Sequence, residues 1–442
     1  MQIIEGLSKA KMVLSRENAG LYSISDGVRE SVEKLFGTSD PEQAVVGVIT
    51  DVSLRGDAAL RDYTLKIDGI ELASLEIARE QIDLAYRETD DELIEALKFA
   101  AGRIRAFHLT QKDTIYNNTA SEKDVQIIRP LERVGCYAPG GTATYPSTVL
   151  MTAIPARVAG VKEIILMTPP DTNGGTPAAT LVAADIAGVD RIFSIGGAQA
   201  IAALAYGTES VPRVDMICGP GNVFVMLAKK WVYGLVAIDG LAGPSEVMVI
   251  ADETADIDYC VAELIAQAEH DVLSRPLLVT TSKHLASQVE KEVVVQLKDL
   301  PRRDIAAQSL DNEGKIMVIN SAKEAIELAN ICAPEHLCLM VEGTDVYLEG
   351  ITSAGCIFVG GNSSVAFGDY VAGPSHVLPT GGTARFASPL NVGDFMKLTN
   401  IVNIDEKNLE TLGKAVITIA RAEGLEAHAR SVMKRLNRKG VL

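Results

Sequence analysis

Only six histidines occur among the 442 residues, and four of them, His270, His336, His376 and His428, lie within a few positions of an acid or amide in the second half of the chain. Scarce titratable residues gathered this way are more informative than any one of them. Along the segment carrying Ile257, Cys260, Val261, Leu264, Ile265 and Ala268 the apolar spacing is helical, which leaves Gln267 and His270 together near the end of one face. A separation of three makes them neighbours that could share a metal ion, although a helix-terminal histidine also serves as a cap. Glu335 and His336 follow Pro334 after an apolar helical stretch. A carboxylate beside an imidazole is a base and proton shuttle near neutral pH, or a plain helix-terminal charge pair. Asp369 and His376 fall in a glycine-rich loop beyond the last strand pattern, where loops carry function and where aspartates also cap turns. His428 lies between Leu425 and Val432 on an apolar stripe, a position typical of a core or interface residue. Two histidines, an aspartate and a glutamine would make a nitrogen and oxygen donor set acceptable to zinc or another divalent first-row metal.

The six cysteines contain no Cys-x-x-Cys pair and sit mostly in apolar stretches, so they read as buried, reduced thiols. Any metal is thereby left to His, Asp, Glu or amide oxygen. Two glycine clusters, Gly196-Gly197-Ala198-Gln199 and Gly219-Pro220-Gly221-Asn222, each follow a short apolar run and open a helical pattern. Such turns aim backbone N–H groups and a helix dipole at an anion such as a pyrophosphate. Neither matches G-x-G-x-x-G, and close helix–strand packing accounts for the glycines equally well.

These residues need elements to position them. Helical spacing covers residues 26–37, 40–70 and 75–108, the last broken near Asp90 and Asp91, so the first quarter is mostly α. Residues 110–125 are polar and aperiodic and read as a connector, with a domain boundary expected near residues 129–135. Between residues 163 and 252 short apolar runs (164–167, 192–195, 216–218) end in turn residues and lead into helical patterns. The alternation predicts a parallel sheet with crossover helices. It resumes at 246–251, 276–281, 316–319 and 356–359, predicting a second α/β unit. After Pro389 two amphipathic helices divided around Gly424 are too short to hold a core and must dock on something. In open parallel sheets ligands bind at the carboxyl ends of strands, so the turns that follow the strands are the expected location of the chemistry.

Composition narrows the function classes. At 442 residues and 47% hydrophobic, the chain can bury more than one core. Net charge is −17, and the only basic group, Lys434, Arg435, Arg438 and Lys439, reads as a solvated helix end, which argues against nucleic acid. Residues 1–16 lack the apolar run of a secretory signal, and nothing approaches the ~20 apolar residues of a membrane span, so a cytoplasmic protein is expected.

The run Ile238-Asp239-Gly240-Leu241-Ala242-Gly243-Pro244-Ser245-Glu246-Val247, followed by Leu264-Ile265-Ala266-Gln267-Ala268-Glu269-His270, resembles the signature of the histidinol dehydrogenases. Residues 55–61, 137–141, 196–205, 219–222, 333–337 and 376–380 agree with it, while the N-terminal third is only loosely similar and His270-Asp271 stands where some relatives have glycine. The resemblance implies an α/β fold of two incomplete Rossmann-like parallel-sheet domains with small helical N- and C-terminal extensions, assembled as an intertwined homodimer. It implies an accessory segment (1–32 and 110–134), a catalytic α/β domain (33–109 and 245–388), an NAD-binding α/β domain (135–244) and a dimerising piece (389–442). It implies zinc held by Gln267, His270, Asp369 and His428, the last donated by the partner subunit. By the same resemblance Glu335 and His336 transfer protons, Ser245, His376 and Glu423 hold the amino alcohol together with the zinc ligands and His336, and Tyr137, Gln199 and Asn222 line the NAD site. The implied activity is oxidation of L-histidinol to L-histidine by two NAD through a bound aldehyde. Relatives on this scaffold oxidise other small alcohols, notably sulfopropanediol, but a carboxylate at Glu423 suits a substrate cation and would repel a sulfonate. A hinged small-ligand binding protein of two α/β units is the alternative from another class, and such proteins are commonly exported.

Overall fold

Strands such as Glu246–Ala251 and Glu163–Thr168 are almost unbroken apolar runs, and nearly every residue in them is buried. Parallel strands covered by helices on both faces have this character, and both sheets are parallel throughout. The computed structural model describes residues 1–15, 26–119, 126–140 and 144–437. One sheet has six strands in the order Gln2–Glu5, Lys315–Val318, Arg275–Thr280, Glu246–Ala251, His336–Met340, Cys356–Val359. The other has five, in the order Arg191–Ser194, Glu163–Thr168, Arg133–Tyr137, Met216–Cys218, Ala237–Ile238. The two-residue period of a strand divides its side chains between two cores. Val247, Val249 and Ala251 join the core containing Val261, Leu264 and Ile265, whereas Met248 and Ile250 join Leu328 and Ala329 on the opposite face.

The N-terminal helices share cores with the five-stranded layer. Helices Pro41–Arg55 and Asp57–Asp68 bury Val45, Val48, Ile49, Val52 and Leu60 in one core with Ile165, Met167, Ile201 and Leu227 of the five-stranded layer. Helix Asp91–Thr119 buries Ile94, Leu97, Ala101 and Ile104 against the other face of that layer, with Ile164 and Leu166. Residues 41–104 therefore share their cores chiefly with residues 135–244. The first strand, expected in an accessory segment, extends the edge of the six-stranded sheet. Helical periodicity identifies a buried face without identifying the sheet that face will meet.

The connector expected at 110–125 is also corrected in part, because the helix runs on to Thr119. Its turn at residues 110–115 carries no fully buried side chain, so no apolar period marks it. Residues 120–125, like Gly141, Arg438 and Lys439, lie outside the described residues, while Lys434 and Arg435 occupy the last turn of the final helix. The expected break near Asp90 is present between Arg79–Glu88 and Asp91–Thr119.

Two compact units result, one of residues 1–113 and 130–396, the other of 114–129 and 397–442. The first holds both sheets. In the second, Gln126 hydrogen-bonds Asn400 across a two-stranded ribbon, and helices Glu406–Ala422 and Glu426–Asn437 pack together where Gly413 meets Leu436. Gly424 separates them, as the sequence indicated. Among the described residues no helix is long and apolar enough to cross a membrane.

Candidate active site

In a parallel sheet each crossover helix runs back against its strands, so the helix ends at the edge where the strands begin. Helix Ile257–Ala268 follows strand Glu246–Ala251 and returns Gln267 and His270 to that edge. Helix Ala322–Cys332 likewise delivers residues 333–335 to the start of strand His336–Met340. On the six-stranded sheet the candidate residues thus lie at the amino ends of the strands, where the sequence pattern points to the carboxyl ends. The five-stranded sheet does present its carboxyl ends, where Tyr137 and the turns at 196–199 and 219–222 are found.

A cavity of about 520 Å³ is lined from both sides, by Thr148, Gly221 and Asn222 and by Ser245, Gln267, His270, Glu335, His336, Asp369 and His376. At its floor one residue's backbone holds two side chains. The Glu246 N–H donates to Glu335 Oε2 at 2.8 Å, and His336 Nδ1 lies 3.0 Å from the Glu246 carbonyl oxygen. A carbonyl can only accept, so the Nδ1 proton is committed there and Nε2 is the nitrogen left to exchange protons. Nε2 faces Asp369 Oδ1 at 3.5 Å, and Nδ1 is 3.6 Å from Glu335 Oε2.

Glu335 and His336 are 7% and 5% exposed. Burial pushes the Glu335 carboxyl up to about 7, against the opposing pull of the His336 ring. Burial alone would lower His336, but the Glu335 and Asp369 carboxylates outweigh it and carry the ring up to about 9. Burial also pushes Asp369 up, and the surrounding imidazoles more than reverse this, keeping it ionised.

Asp369 lies in the short helix Val365–Tyr370, not in an open loop; Ser364 caps that helix, and the buried Glu263 accepts from the Val365 N–H at 3.1 Å. The Asp369 backbone carbonyl accepts from His376 Nδ1 at 2.9 Å, and Thr148 Oγ1 meets His376 Nε2 at 3.2 Å. Burial lowers His376 and keeps it neutral, so Nε2 accepts the Thr148 hydroxyl proton. The Gln267 amide nitrogen is buried with no partner among the described residues. A polar group left this way marks a place where something else binds. Gln267, His270 and Asp369 line the same cavity, the first two at the C-terminus of helix Ile257–Ala268, whose dipole favours a cation.

In the five-stranded layer Tyr137 is buried and accepts from the Gly197 N–H at 3.0 Å. Burial pushes its phenol up to about 12. Gln199 is fully buried with neither amide atom partnered among the described residues. Asn222 caps helix Val223–Val232 by accepting from the Phe224 and Val225 N–H groups. Gly219 has φ +113°, and a Cβ there would stand 2.1 Å from the Tyr137 carbonyl oxygen, so no other residue fits.

The remaining expected residues, Glu423 and His428, sit in the other compact unit and are exposed. Among the described residues no group of three or more His, Cys, Asp or Glu side chains forms a metal cluster. Sequence reasoning missed Thr148, which meets its partner 228 positions away. It also missed the part played by the Glu246 backbone, for which no side-chain pattern exists.

The sequence profile described as histidinol dehydrogenase matches residues 34–436. The chain belongs to the histidinol dehydrogenase family. It is 54% identical over 436 residues to a histidinol dehydrogenase of Dehalococcoides mccartyi, covering 99% of this chain and 100% of that one. A histidinol dehydrogenase of Deinococcus radiodurans is 46% identical over 440 residues, covering 99% and 100%. The crystal structure of histidinol dehydrogenase from Elizabethkingia anophelis superposes with a TM-score of 0.89 at 36% identity, covering 100% of this chain and 99% of that one. The α/β class and the histidinol dehydrogenase resemblance expected from sequence are both met.

Two stability predictions follow from this geometry. A Cβ at Gly355 would stand 2.5 Å from the Glu335 carbonyl oxygen. Gly355→Ala should cost about 1–3 kcal/mol, as overpacked sites do, seen as a lower urea midpoint; an unchanged midpoint would mean the two strands are not held this close. Asp68, whose charge also bears on Tyr137, has a buried Oδ2 without a partner among the described residues, and burial lifts it from 3.8 to about 6. Because the folded-state value is the higher one, stability present below about pH 4 is lost as the pH rises through about 6. Asp68→Asn should raise the melting temperature at about pH 7.5 and leave it unchanged near pH 4; an equal shift at both would assign the effect to something other than this proton.

Proposed function

We propose that this protein oxidises L-histidinol to L-histidine in the cytoplasm, with two equivalents of NAD and a zinc ion. The observation that carries the reading is the buried Glu335–His336 pair, set on the Glu246 backbone and aimed at Asp369, in a chain of the histidinol dehydrogenase family. Gln267, His270 and Asp369 would hold zinc together with His428 of the partner subunit. Gln267 would bind through its amide oxygen, and the helix C-terminus behind it fits a cation. Zinc, when bound, supplies a Lewis-acidic anchor for the amine and imidazole of the substrate, fixing the carbinol carbon in place. NAD supplies the hydride acceptor for each two-electron step, with Tyr137, Gln199 and Asn222 lining its site.

In its neutral form His336 takes the carbinol hydroxyl proton at Nε2 as the first hydride leaves, giving the aldehyde. Glu335, lifted toward neutrality by burial, activates the water that hydrates the aldehyde. Once its first proton has passed to solvent, His336 removes a proton from the hydrate as the second hydride leaves, and the acid so formed gives up its own proton to become the carboxylate. Four electrons and one water are accounted for. A half-enclosed cavity keeps the aldehyde from side reactions between the two oxidations. Ser245 and His376 line the same cavity and would hold the amino alcohol. Glu423 and His428 would complete the site across a homodimer interface. Exposed Leu412, Val416, Ile419 and Leu425 on the same helical hairpin support that assembly.

The test is NADH formation with L-histidinol by purified protein, before and after chelation and zinc repletion. About two NADH per histidinol with zinc dependence is expected from the two hydride steps; turnover of sulfopropanediol and none of histidinol would reject the assignment. His336→Asn should keep its zinc and lose turnover by on the order of 10²-fold or more. His428→Ala should lose zinc. Equal zinc loss in both variants would contradict the separation of proton transfer from metal binding.

A further inference from the structure

The turn at residues 219–222 is gripped by two buried charges that the mechanism above does not use. Lys229 lies on helix Val223–Val232 and Asp239 directly follows strand Ala237–Ile238; their side chains are 3% and 4% exposed and form an ion pair. Both also hold Gly219. Its N–H donates to Asp239 Oδ2 at 2.7 Å, and its carbonyl accepts from Lys229 Nζ at 3.0 Å. The next residue, Pro220, has no N–H with which to tie the turn down.

Burying an ion pair is a poor way to gain stability, since an apolar pair of similar volume serves as well or better. What an apolar pair cannot do is hold the donor and the acceptor of one residue at once. Gly219 is also the residue whose left-handed conformation places it against the Tyr137 carbonyl, and three positions on Asn222 caps the following helix. The charges therefore fix one end of the turn and the cap fixes the other. Pro220, Gly221 and Asn222 between them line the cavity.

We infer that Lys229 and Asp239 are a positioning pair for the dinucleotide, setting the 219–222 turn against Tyr137. The inference rests on reading Tyr137, Gln199 and Asn222 as the dinucleotide site. Neither charged group touches the reacting atoms, so their removal moves NAD affinity and spares the histidinol wall.

The test is steady-state kinetics on the zinc-loaded enzyme for the double variant K229M/D239N, which removes both charges at similar volume, beside N222A. The expected result is a folded double variant whose KM for NAD rises about tenfold or more while that for L-histidinol stays within about twofold. If the double variant does not fold, K229R is read for the same ratio, with a rise of about threefold expected from a displaced turn. A raised KM for NAD in N222A beside an unchanged one in the charge variants would overturn the positioning role and leave the dinucleotide reading standing. Unchanged values in both would remove the dinucleotide reading and this inference with it. Parallel rises for NAD and histidinol, or loss of zinc, would show general disruption and overturn the specific role.

Discussion

The peptide groups on either side of Glu246 are the point on which the site depends. One donates to the Glu335 carboxylate and the other accepts from the His336 ring, so the two groups are oriented by backbone that cannot rotate away. That arrangement exists because strand Glu246–Ala251 lies parallel to His336–Met340 with His336 opposite Val247. A one-residue slip would send His336 to the other face of the sheet. Both faces of the strand meet a core, Val247 and Val249 on one side and Met248 and Ile250 on the other.

Direction matters as much as register. Because every crossover helix in the six-stranded sheet returns to the amino ends of the strands, Gln267, His270 and the residues leading to His336 gather there. The five-stranded sheet contributes the opposite edge, with its glycine turns. The two walls are chemically distinct as a result. One carries titratable groups and potential metal donors; the other carries the 220–222 turn and the Thr148 hydroxyl.

Burial then sets the chemistry. In a solvated setting Glu335 would be an ordinary carboxylate and His336 an ordinary imidazole. Enclosed together, with Asp369 close by, the acid and the ring are both carried above their ordinary values. The same enclosure keeps His376 neutral, because its partners are a carbonyl and a hydroxyl and burial is not outweighed.

Much of this was legible in the residues. The parallel strands announce themselves as apolar runs ending in turns, and the three-residue spacing of Gln267 and His270 makes them neighbours on any helix. Glu335-His336 and the Gly-Pro-Ser-Glu run carry the histidinol dehydrogenase resemblance outright. What only the tertiary structure decided was long-range placement: that helices at 41–104 cover the five-stranded sheet, that Thr148 meets His376, and that the Glu246 backbone holds the reactive pair. Local pattern reports which face of an element is apolar, because that depends on a period of two or 3.6 residues. It carries nothing about which of two similar sheets that face will find, or which peptide group will stand beside a side chain ninety positions away.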